Sequence, residues 1–343
     1  MKIQHINQTT CNLKLNKKFQ NSHTTYKEKG SIILEIISDS FIGYGEICPL
    51  NHFSNETFQE INWGFQGFIE SIDNTIDYSL KDLLTLAEIH CADIPSLHFG
   101  IDTALYDLQS KKNKVSLSKF LCSKAPDYIK LSSLYTKQKI YNTNTIKYKL
   151  GIKTIEEDIK ILQLLQRQNK TIKFRLDANR KYSYLEFQEI YKKLNDEIYN
   201  IEYFEEPIKT PNIKILKKIK SETKAQIAID ESLYDGSDYK QWMENDLIHT
   251  VIIKPSILGG YRKILHLCEI AAKYNIKVIF SSALESGIGN AATIHLAAAT
   301  QNYQEHGLNI YNFYDSCKQP LYQKDDNTIN LKSIVGLGYD RLS

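Results

Sequence analysis

Short apolar runs alternate with amphipathic segments along the chain after about residue 126. The runs have the length of strands, and the segments between them carry apolar residues at helical spacing, so each pair predicts a strand followed by a helix. Strands that alternate with helices form a parallel sheet, and eight such units favour closure into a barrel. The eight predicted strands are YIKLSSLY, TIKYKLG, TIKFRLDAN, NIEYFEEP, AQIAIDES, HTVIIKPS, IKVIFSSA and, more weakly, HGLNIYNF.

The first third of the chain has a different pattern. Residues 1–50 alternate in the manner of strands, and the polar segment NKKFQNSHTTYKEKG within them predicts a hairpin loop. From about residue 55 to residue 124 the apolar residues recur at helical spacing, with Pro95 near the start of one helix. A modest α+β unit is therefore predicted ahead of the barrel.

Polar residues recur at the C-terminal ends of the predicted strands, and the gaps between them are 28, 28, 25, 24 and 27 residues. Each gap has the length of one strand–helix unit, so these residues are expected at one end of the barrel, where barrel enzymes place their active sites. They are Lys149, Asp177, Glu205, Asp230, Lys254 and Ser281.

Three of these residues are carboxylates on neighbouring strands. Asp177, Glu205 and Asp230 end the third, fourth and fifth predicted strands, and three unpaired anions at one place would repel strongly. A hard divalent cation with oxygen ligands removes that repulsion, so the sequence predicts Mg²⁺ here, with Mn²⁺ as a substitute. Lys149 and Lys254 end the second and sixth strands, which face each other in a ring of eight.

Two lysines lie close together on the second predicted strand. Lys147 and Lys149 are two apart, so their side chains share a face. A buried lysine is costly, but an anion-rich barrel mouth would compensate both charges. Taken singly, these motifs have structural explanations: a KxK pair is a common solvated strand edge, and LDAN or IDES is a common helix N-cap. Their order and spacing together favour a functional site.

Three further residues are candidates for contact with a substrate. Arg175 lies two before Asp177 and shares its strand face, where it binds either a substrate carboxylate or the carboxylates of the site itself. Ser281 and Ser282 end the seventh predicted strand, where their hydroxyls either bind a substrate carboxylate or are simply solvated.

Composition argues against several classes of partner. The net charge of +3 is small and no long basic or acidic block is present, so we expect no nucleic-acid binding. No apolar run is long enough to span a bilayer, and we expect no membrane partner.

The six cysteines form no CxxC pair, which favours reduced thiols. The N-terminus lacks the apolar core of a signal peptide, and the abundance of Ile, Lys, Asn and Tyr over Arg is typical of A/T-rich genomes, so we expect a plastid stroma or a bacterial cytoplasm.

The motifs at the strand ends carry a family resemblance that covers almost the whole chain. With RLDANRKYS, FEEPIKT, IAIDESL, VIIKPSILGG and SSALESGIGN, and with GYGEICPL and SIVGLGYD outside them, the sequence resembles the enolase superfamily, in its muconate-lactonizing branch. Within that branch it is similar to the o-succinylbenzoate synthase family.

The resemblance implies a fold class and a domain organisation. The fold class is α/β, a (β/α)7β TIM-like barrel with an N-terminal α+β capping domain. The implied boundaries are 1–125 for the capping domain with its linking helices, 126–315 for the barrel and 316–343 for a C-terminal segment that returns to the cap. Residues 21–26 and 49–53 would close over the barrel mouth, and the protein would be a monomer or a homo-oligomer.

The resemblance also implies roles. Mg²⁺ would be bound by Asp177, Glu205 and Asp230. Lys149 would remove the proton α to the carboxylate of a small-molecule substrate, and Lys147 would lower the pKa of Lys149 and help to hold that carboxylate. Lys254 would face the opposite side of the substrate ring. The implied reaction is the dehydration of 2-succinyl-6-hydroxy-2,4-cyclohexadiene-1-carboxylate to o-succinylbenzoate, on the route to menaquinone or phylloquinone.

Relatives with the same residues offer alternative reactions. N-acylamino acid racemases and dipeptide epimerases would use both Lys149 and Lys254 as bases. Dipeptide epimerases carry paired aspartates near the eighth strand, and GLNIYNFY has none, which counts against that activity. The non-enzymatic alternative is a barrel kept as a binding module, and the intact lysines and carboxylates argue against it.

Overall fold

The computed structural model divides into two compact units. It describes residues 1–20, 25–50, 53–54, 56–136, 143–310, 322–325 and 327–339. The first unit comprises Met1–Ile129, Lys254–Leu267 and Phe280–Ser343, and the second comprises Lys130–Ile253 and Cys268–Ile279. The domain boundaries expected after residues 125 and 315 stay a prediction.

The first unit begins with an antiparallel sheet and continues with helices. The sheet has the strand order β1-β2-β3, with β1 (His5–Gln20), β2 (Thr25–Ser38) and β3 (Phe41–Ile47). The helices that follow are α1 (Phe58–Glu70), α2 (Leu80–Cys91), α3 (Pro95–Lys112) and α4 (Leu117–Leu121). As predicted, α3 begins at Pro95, where the missing N–H of proline leaves no helical hydrogen bond unmade.

The prediction of a hairpin loop over the polar segment near the N-terminus is wrong for most of that segment. Strand β1 runs to Gln20 and strand β2 starts at Thr25, and the two strands are paired there. Main-chain hydrogen bonds hold this part of the ladder, so its polar composition is no obstacle to a strand. Residues 21–24 and 51–52, within the two loops expected to close over the barrel, lie outside the described residues.

The parallel sheet predicted from the alternating pattern is present, and nearly all of its residues belong to the second unit. Its strand order is β5-β6-β7-β8-β9-β10-β11. The strands are β5 (Ser133–Leu134), β6 (Thr145–Lys149), β7 (Lys173–Asp177), β8 (Ile201–Glu205), β9 (Ile227–Ile229), β10 (Thr250–Ile253) and β11 (Lys277–Phe280). Each neighbouring pair of strands from β5 to β10 is parallel, as the helical connections require.

Helices follow the strands of this sheet in the order that the sequence predicts. They are α5 (Ile155–Gln168), α6 (Tyr184–Glu197), α7 (Ile213–Glu222), a 3₁₀ turn (Glu231–Leu233), α8 (Tyr239–Glu244), α9 (Pro255–Leu258), α10 (Tyr261–Lys273) and α11 (Gly287–Ala299). The strands β8 to β11 each place one buried side chain in a common cluster, which consists of Tyr203, Ala228, Ile252 and Ile279. In the described ranges, no helix is both long and apolar enough to cross a membrane.

The first and last predicted strands are less regular than the others. The run YIKLSSLY forms β4 (Tyr128–Leu131) and β5 in place of one strand. Of HGLNIYNF, His306 lies in β12 (Glu305–His306), and residues 311–313 lie outside the described part of the chain. Strands β4 and β12 belong to a separate sheet of order β12-β4-β14-β13, with β13 (Gln323–Asp325) and β14 (Thr328–Asn330). A further parallel bridge joins Ser281 to Gly307 in the first unit.

Two glycines let helix α3 approach strand β3 closely. A Cβ atom at Gly43 would lie 2.0 Å from the carbonyl oxygen of Ala104, and one at Gly45 would lie 2.0 Å from that of Gly100. No side chain fits at such a distance, so only glycine allows the helix and the strand to pack with their backbones in contact. The close packing buries apolar residues of α3, including Leu97.

We expect Gly45→Ala to lower the free energy of unfolding by about 1–3 kcal/mol, because the added methyl group forces α3 away from β3. Urea unfolding at 25 °C measures the change. The matched control is Gly30→Ala on β2, where the nearest heavy atom to the new Cβ is a ring carbon of Phe58 at 3.6 Å. The control should change stability by less than about 0.5 kcal/mol. Equal stability of the two variants would contradict the close-packing explanation.

Candidate active site

The ends of three adjacent parallel strands bring charged residues side by side. Lys149 ends β6, Asp177 ends β7 and Glu205 ends β8, and the register pairs Lys149 with Asp177 and Asp177 with Glu205. Glu205 is paired with Ala228 of β9, and Asp230 comes two residues later, so Asp230 stands at the same edge of the sheet. The structure therefore places these four predicted site residues together.

The ammonium group of Lys147 lies between two of the carboxylates. Its Nζ atom is 3.0 Å from Oδ2 of Asp177 and 2.7 Å from Oε1 of Glu205. Burial opposes the charge, but the carboxylates of Asp177, Glu205 and Asp230 outweigh it and raise the pKa of Lys147 well above its ordinary value. Lys147 is therefore a permanent cation inside the carboxylate cluster.

The two carboxylates that contact Lys147 have opposite pKa shifts. Burial works against the charge of Asp177, yet Lys147 and Lys149 hold the pKa of this carboxyl below its ordinary value. Burial and the neighbouring charge of Asp177 raise the pKa of Glu205 to about 8. The raised pKa of Glu205 reflects the negative charge that remains around it in a buried space, which a second cation would relieve.

The donor set fits a hard divalent cation. Glu205 is fully buried, and its Oε2 atom meets no hydrogen-bond donor in the described part of the protein, so this oxygen has coordination capacity to spare. The available ligands on Asp177, Glu205 and Asp230 are all oxygens, which Mg²⁺ and Mn²⁺ prefer. Among the described residues, no group of three or more Asp, Glu, His or Cys side chains is already close enough together to hold a metal ion. Lys147 supplies positive charge where Asp177 and Glu205 meet.

Asn179, which the sequence pattern did not predict as a site residue, connects Lys149 to this cluster. Lys149 Nζ donates to Oδ1 of Asn179 at 3.2 Å, and the amide of Asn179 donates to Oδ1 of Asp177 at 3.1 Å. The side-chain nitrogen of Asn179 donates to Oε1 of Glu231 at 3.2 Å. The motif LDAN contains this residue, but its role depends on a left-handed backbone (φ +43°) that strand periodicity does not reveal.

A buried carboxylate holds the chain on both sides of Lys149. Asp158 accepts a hydrogen bond from the Tyr148 hydroxyl at 2.6 Å and another from the Gly151 amide at 2.9 Å. Gly151 has a φ of +78°, and a Cβ atom there would lie 2.2 Å from the hydroxyl oxygen of Tyr182. The segment that carries Lys149 is thus fixed by residues before and after it.

Arg175 has a partner that neither sequence interpretation named. Its Nε atom donates to Oε2 of Glu202 at 2.7 Å, and the guanidinium lies 5.4 Å from the ring centroid of Tyr203. Arg175 is only 2% exposed. This pair stabilises the interior of the sheet, and a contact between Arg175 and a substrate stays a prediction.

Lys254, Ser281 and Ser282 belong to the first unit. Lys254 directly follows β10, is 8% exposed, and places its Nζ atom 4.5 Å from the ring centroid of Phe53. The Ser282 hydroxyl donates to Oε2 of Glu285 at 2.5 Å and accepts from the Leu284 amide at 2.9 Å. The roles expected for these three residues stay predictions.

Comparisons with known proteins show the family of this chain. A family model described as enolase C-terminal domain-like matches residues 134–341. The chain is 27% identical over 326 residues to the hydrophobic dipeptide epimerase of Enterococcus faecalis, covering 88% of each protein. It is 24% identical over 367 residues to the o-succinylbenzoate synthase of Bacillus subtilis, covering 99% of this chain and 94% of that protein.

Solved structures confirm the predicted fold class. A crystal structure of dipeptide epimerase from Enterococcus faecalis V583, complexed with Mg and the dipeptide L-Leu-L-Tyr, matches with a TM-score of 0.84 at 24% identity. The match covers 98% of this chain and 99% of that chain. The fold is therefore the (β/α)7β TIM-like barrel with an N-terminal α+β domain.

We expect Lys147→Met to destabilise the protein in the absence of divalent cations by about 3 kcal/mol, because it leaves buried carboxylates without their countercharge. Millimolar MgCl₂ should restore most of the loss, since a cation that binds only the folded state stabilises it. Thermal and urea unfolding with and without MgCl₂ measure both effects. The matched control is Lys193→Met, which removes an exposed ion pair with Glu156 and should be nearly neutral in both conditions. An equal loss with and without MgCl₂ would contradict this account of the cluster.

Proposed function

This chain belongs to the enolase superfamily, in its muconate-lactonizing branch, and we propose that it is an o-succinylbenzoate synthase. The proposed reaction is the dehydration of 2-succinyl-6-hydroxy-2,4-cyclohexadiene-1-carboxylate, a hydro-lyase step in menaquinone or phylloquinone biosynthesis. The observation that supports it best is the cluster of Lys147, Lys149 and three carboxylates at adjacent strand ends. The plastid or bacterial location stays a prediction.

The chemistry of the first step requires a base beside a concentrated positive charge. A proton α to a carboxylate is weakly acidic, because its removal puts a second negative charge on the substrate. Lys149 is the proposed base, and Asn179 holds its Nζ atom at the edge of the carboxylate cluster. Lys147 is proposed to favour the neutral, proton-accepting amine of Lys149, because two neighbouring ammonium groups repel each other.

A divalent cation held by Asp177, Glu205 and Asp230 would supply Lewis-acid stabilisation of the charge that develops on the substrate carboxylate. Side chains of the protein are proposed to bind and orient the substrate. Lys147 is proposed to help hold the substrate carboxylate, and the hydroxyls of Ser281 and Ser282 are proposed contacts of the succinyl group. Arg175 is kept as a candidate contact, although Glu202 already binds it.

The second step returns the proton to the leaving group. In a syn elimination the ammonium of Lys149 donates the proton it has taken to the departing hydroxide, so water leaves and the ring becomes aromatic. The proton taken from the substrate leaves with the hydroxide as water, so the step needs no other acid and no oxidant. Lys254 is proposed as a second cation that stabilises the anionic intermediate, on the resemblance of its VIIKPSILGG motif.

A second candidate function is racemisation or epimerisation at the same kind of carbon. The similarity to a hydrophobic dipeptide epimerase supports it, and at 27% identity the two activities are not separated by similarity alone. That reaction would use Lys149 and Lys254 as two bases on an N-acylamino acid or a dipeptide. The absence of paired aspartates in GLNIYNFY favours the dehydratase.

The two activities are distinguished by their products: a dehydratase forms an aromatic ring, and a racemase or epimerase exchanges the proton on the α-carbon. With the cyclohexadiene substrate and Mg²⁺ we expect a new aromatic absorbance from purified protein, and none after the metal is chelated. With N-acylamino acids or dipeptides in D₂O we expect at most slow entry of deuterium at the α-carbon. Rapid deuterium exchange without aromatic product would favour the racemase or epimerase, and neither signal would favour a binding module.

We expect Lys149→Ala to lower turnover by at least about 10²-fold, because a positioned base contributes ~10²–10⁴-fold. Mn²⁺ affinity of this variant should stay close to that of the parent, since Lys149 is not a metal ligand. The matched control is Lys153→Ala, four residues along the chain, where the lysine lies 4.0 Å from Glu157. This variant should keep parental turnover. Near-normal turnover of Lys149→Ala would refute its assignment as the base.

A further inference from the structure

A second buried glutamate follows Glu205 directly along the chain. Glu206 is 2% exposed, and its φ of +41° lies in the left-handed region. A glutamate adopts this conformation only where its surroundings hold it there, and such residues concentrate at functional sites. The contacts of Glu206 show what holds it.

Both carboxylate oxygens of Glu206 accept hydrogen bonds from the segment that begins at Asp230. Oε1 accepts from the amide of Asp230 at 3.0 Å and from the amide of Ser232 at 2.7 Å. Oε2 accepts from the Ser232 hydroxyl at 3.0 Å. The carboxylate of Glu206 therefore fixes the backbone at the residue that is expected to bind the metal from β9.

Arg180 joins the segment after β7 to the same carboxylate. Its Nε atom donates to Oε2 of Glu206 at 3.1 Å, and its amide donates to the carbonyl oxygen of Glu206 at 2.6 Å. One of its terminal nitrogens donates to the Ser232 hydroxyl at 2.7 Å and lies 2.6 Å from Oδ2 of Asp235. We refer to Glu206, Arg180 and Ser232 as the carboxylate clamp.

The clamp ties together three segments, and each segment carries one of the proposed metal ligands. Arg180 lies three residues after Asp177, Glu206 lies one after Glu205, and the clamp contacts the amide of Asp230 itself. We infer that Glu206 is a positioning residue that holds these three carboxylates in register for a divalent cation. This inference rests on the proposed function, because it assumes that the three carboxylates bind a metal.

Glu206 is not itself a candidate metal ligand. Amide, hydroxyl and guanidinium donors already occupy its two oxygens, and Arg180 neutralises its charge. Its effect on a metal would be indirect: carboxylates that repel each other bind a cation tightly only if the backbone keeps them in place. Groups that orient metal ligands in this way typically change metal affinity by 10–100-fold when they are replaced.

The test is a direct titration with Mn²⁺, in which the electron paramagnetic resonance of free Mn²⁺ reports binding without any turnover. We expect Glu206→Gln to weaken Mn²⁺ binding by about 10–100-fold. The amide of the new side chain presents an N–H₂ group to Arg180 or to the Asp230 and Ser232 amides, so one side of the clamp must open. The measurement is made below the melting temperature of every variant.

The matched control separates positioning from general stability. Asp107→Asn disrupts an equally buried carboxylate on α3, one that accepts hydrogen bonds from the amides of Tyr44 and Leu337 and pairs with Lys111, much as Glu206 pairs with Arg180. We expect it to lower the melting temperature as Glu206→Gln does, yet to leave Mn²⁺ affinity unchanged. Arg180→Lys is the second variant, for use if Glu206→Gln does not fold, and should weaken Mn²⁺ binding to a smaller extent.

Each outcome is decisive. Parental Mn²⁺ affinity in folded Glu206→Gln, or in Arg180→Lys if the first does not fold, overturns the inference and leaves the proposed function intact. An equal loss of affinity in Asp107→Asn also overturns it, because the effect would then be one of stability. A parent protein that binds no Mn²⁺ overturns the metal site of the proposed function and the inference with it.

Discussion

Buried negative charge at the ends of adjacent strands is the constraint on which the site depends. The parallel register sets Asp177 beside Glu205, and two like charges at 4 Å repel by about 4 kcal/mol at an effective dielectric constant of 20. Lys147 offsets part of this repulsion by contacting both carboxylates. The raised pKa of Glu205 indicates that one ammonium does not offset all of it. A site with this imbalance is suited to capture a divalent cation.

The sheet supplies the positions of the charged groups, and the loops that follow it supply their orientation. Asn179, Arg180 and Glu206 all have left-handed backbone conformations, which are uncommon for residues other than glycine. Each of the three is held there by hydrogen bonds to a neighbouring segment. Strain of this kind persists only where the surrounding structure determines it, and here it surrounds the proposed catalytic and metal-binding groups.

Much of the fold and the centre of the site could be predicted from the sequence, because both follow from periodicity. A strand–helix unit has a nearly constant length, so residues such as Asp177 and Glu205 recur at the strand ends when the sheet is parallel. The same reasoning failed near the N-terminus, where a polar segment forms strands. It also treated YIKLSSLY as one strand, where the structure has two, β4 and β5.

The contacts of the loops could not be predicted in the same way. The partner of Arg175 depends on a register shift between β7 and β8, which adds Glu202 as an extra residue between two paired positions. A strict alternation does not place that side chain against Arg175. The hydrogen bonds of Asn179 and Glu206 likewise depend on backbone conformations that the motifs LDAN and EEP contain but do not reveal.

The most direct test of the account is the location of a bound metal. Crystals grown with Mn²⁺ give an anomalous difference map in which the ion appears as an isolated peak. The account predicts one strong peak with oxygens of Asp177, Glu205 and Asp230 all at about 2.0–2.3 Å from it, the range of Mg²⁺–oxygen distances widened for the larger ion. A strong peak elsewhere on the chain, or none with Mn²⁺ in excess, would contradict it.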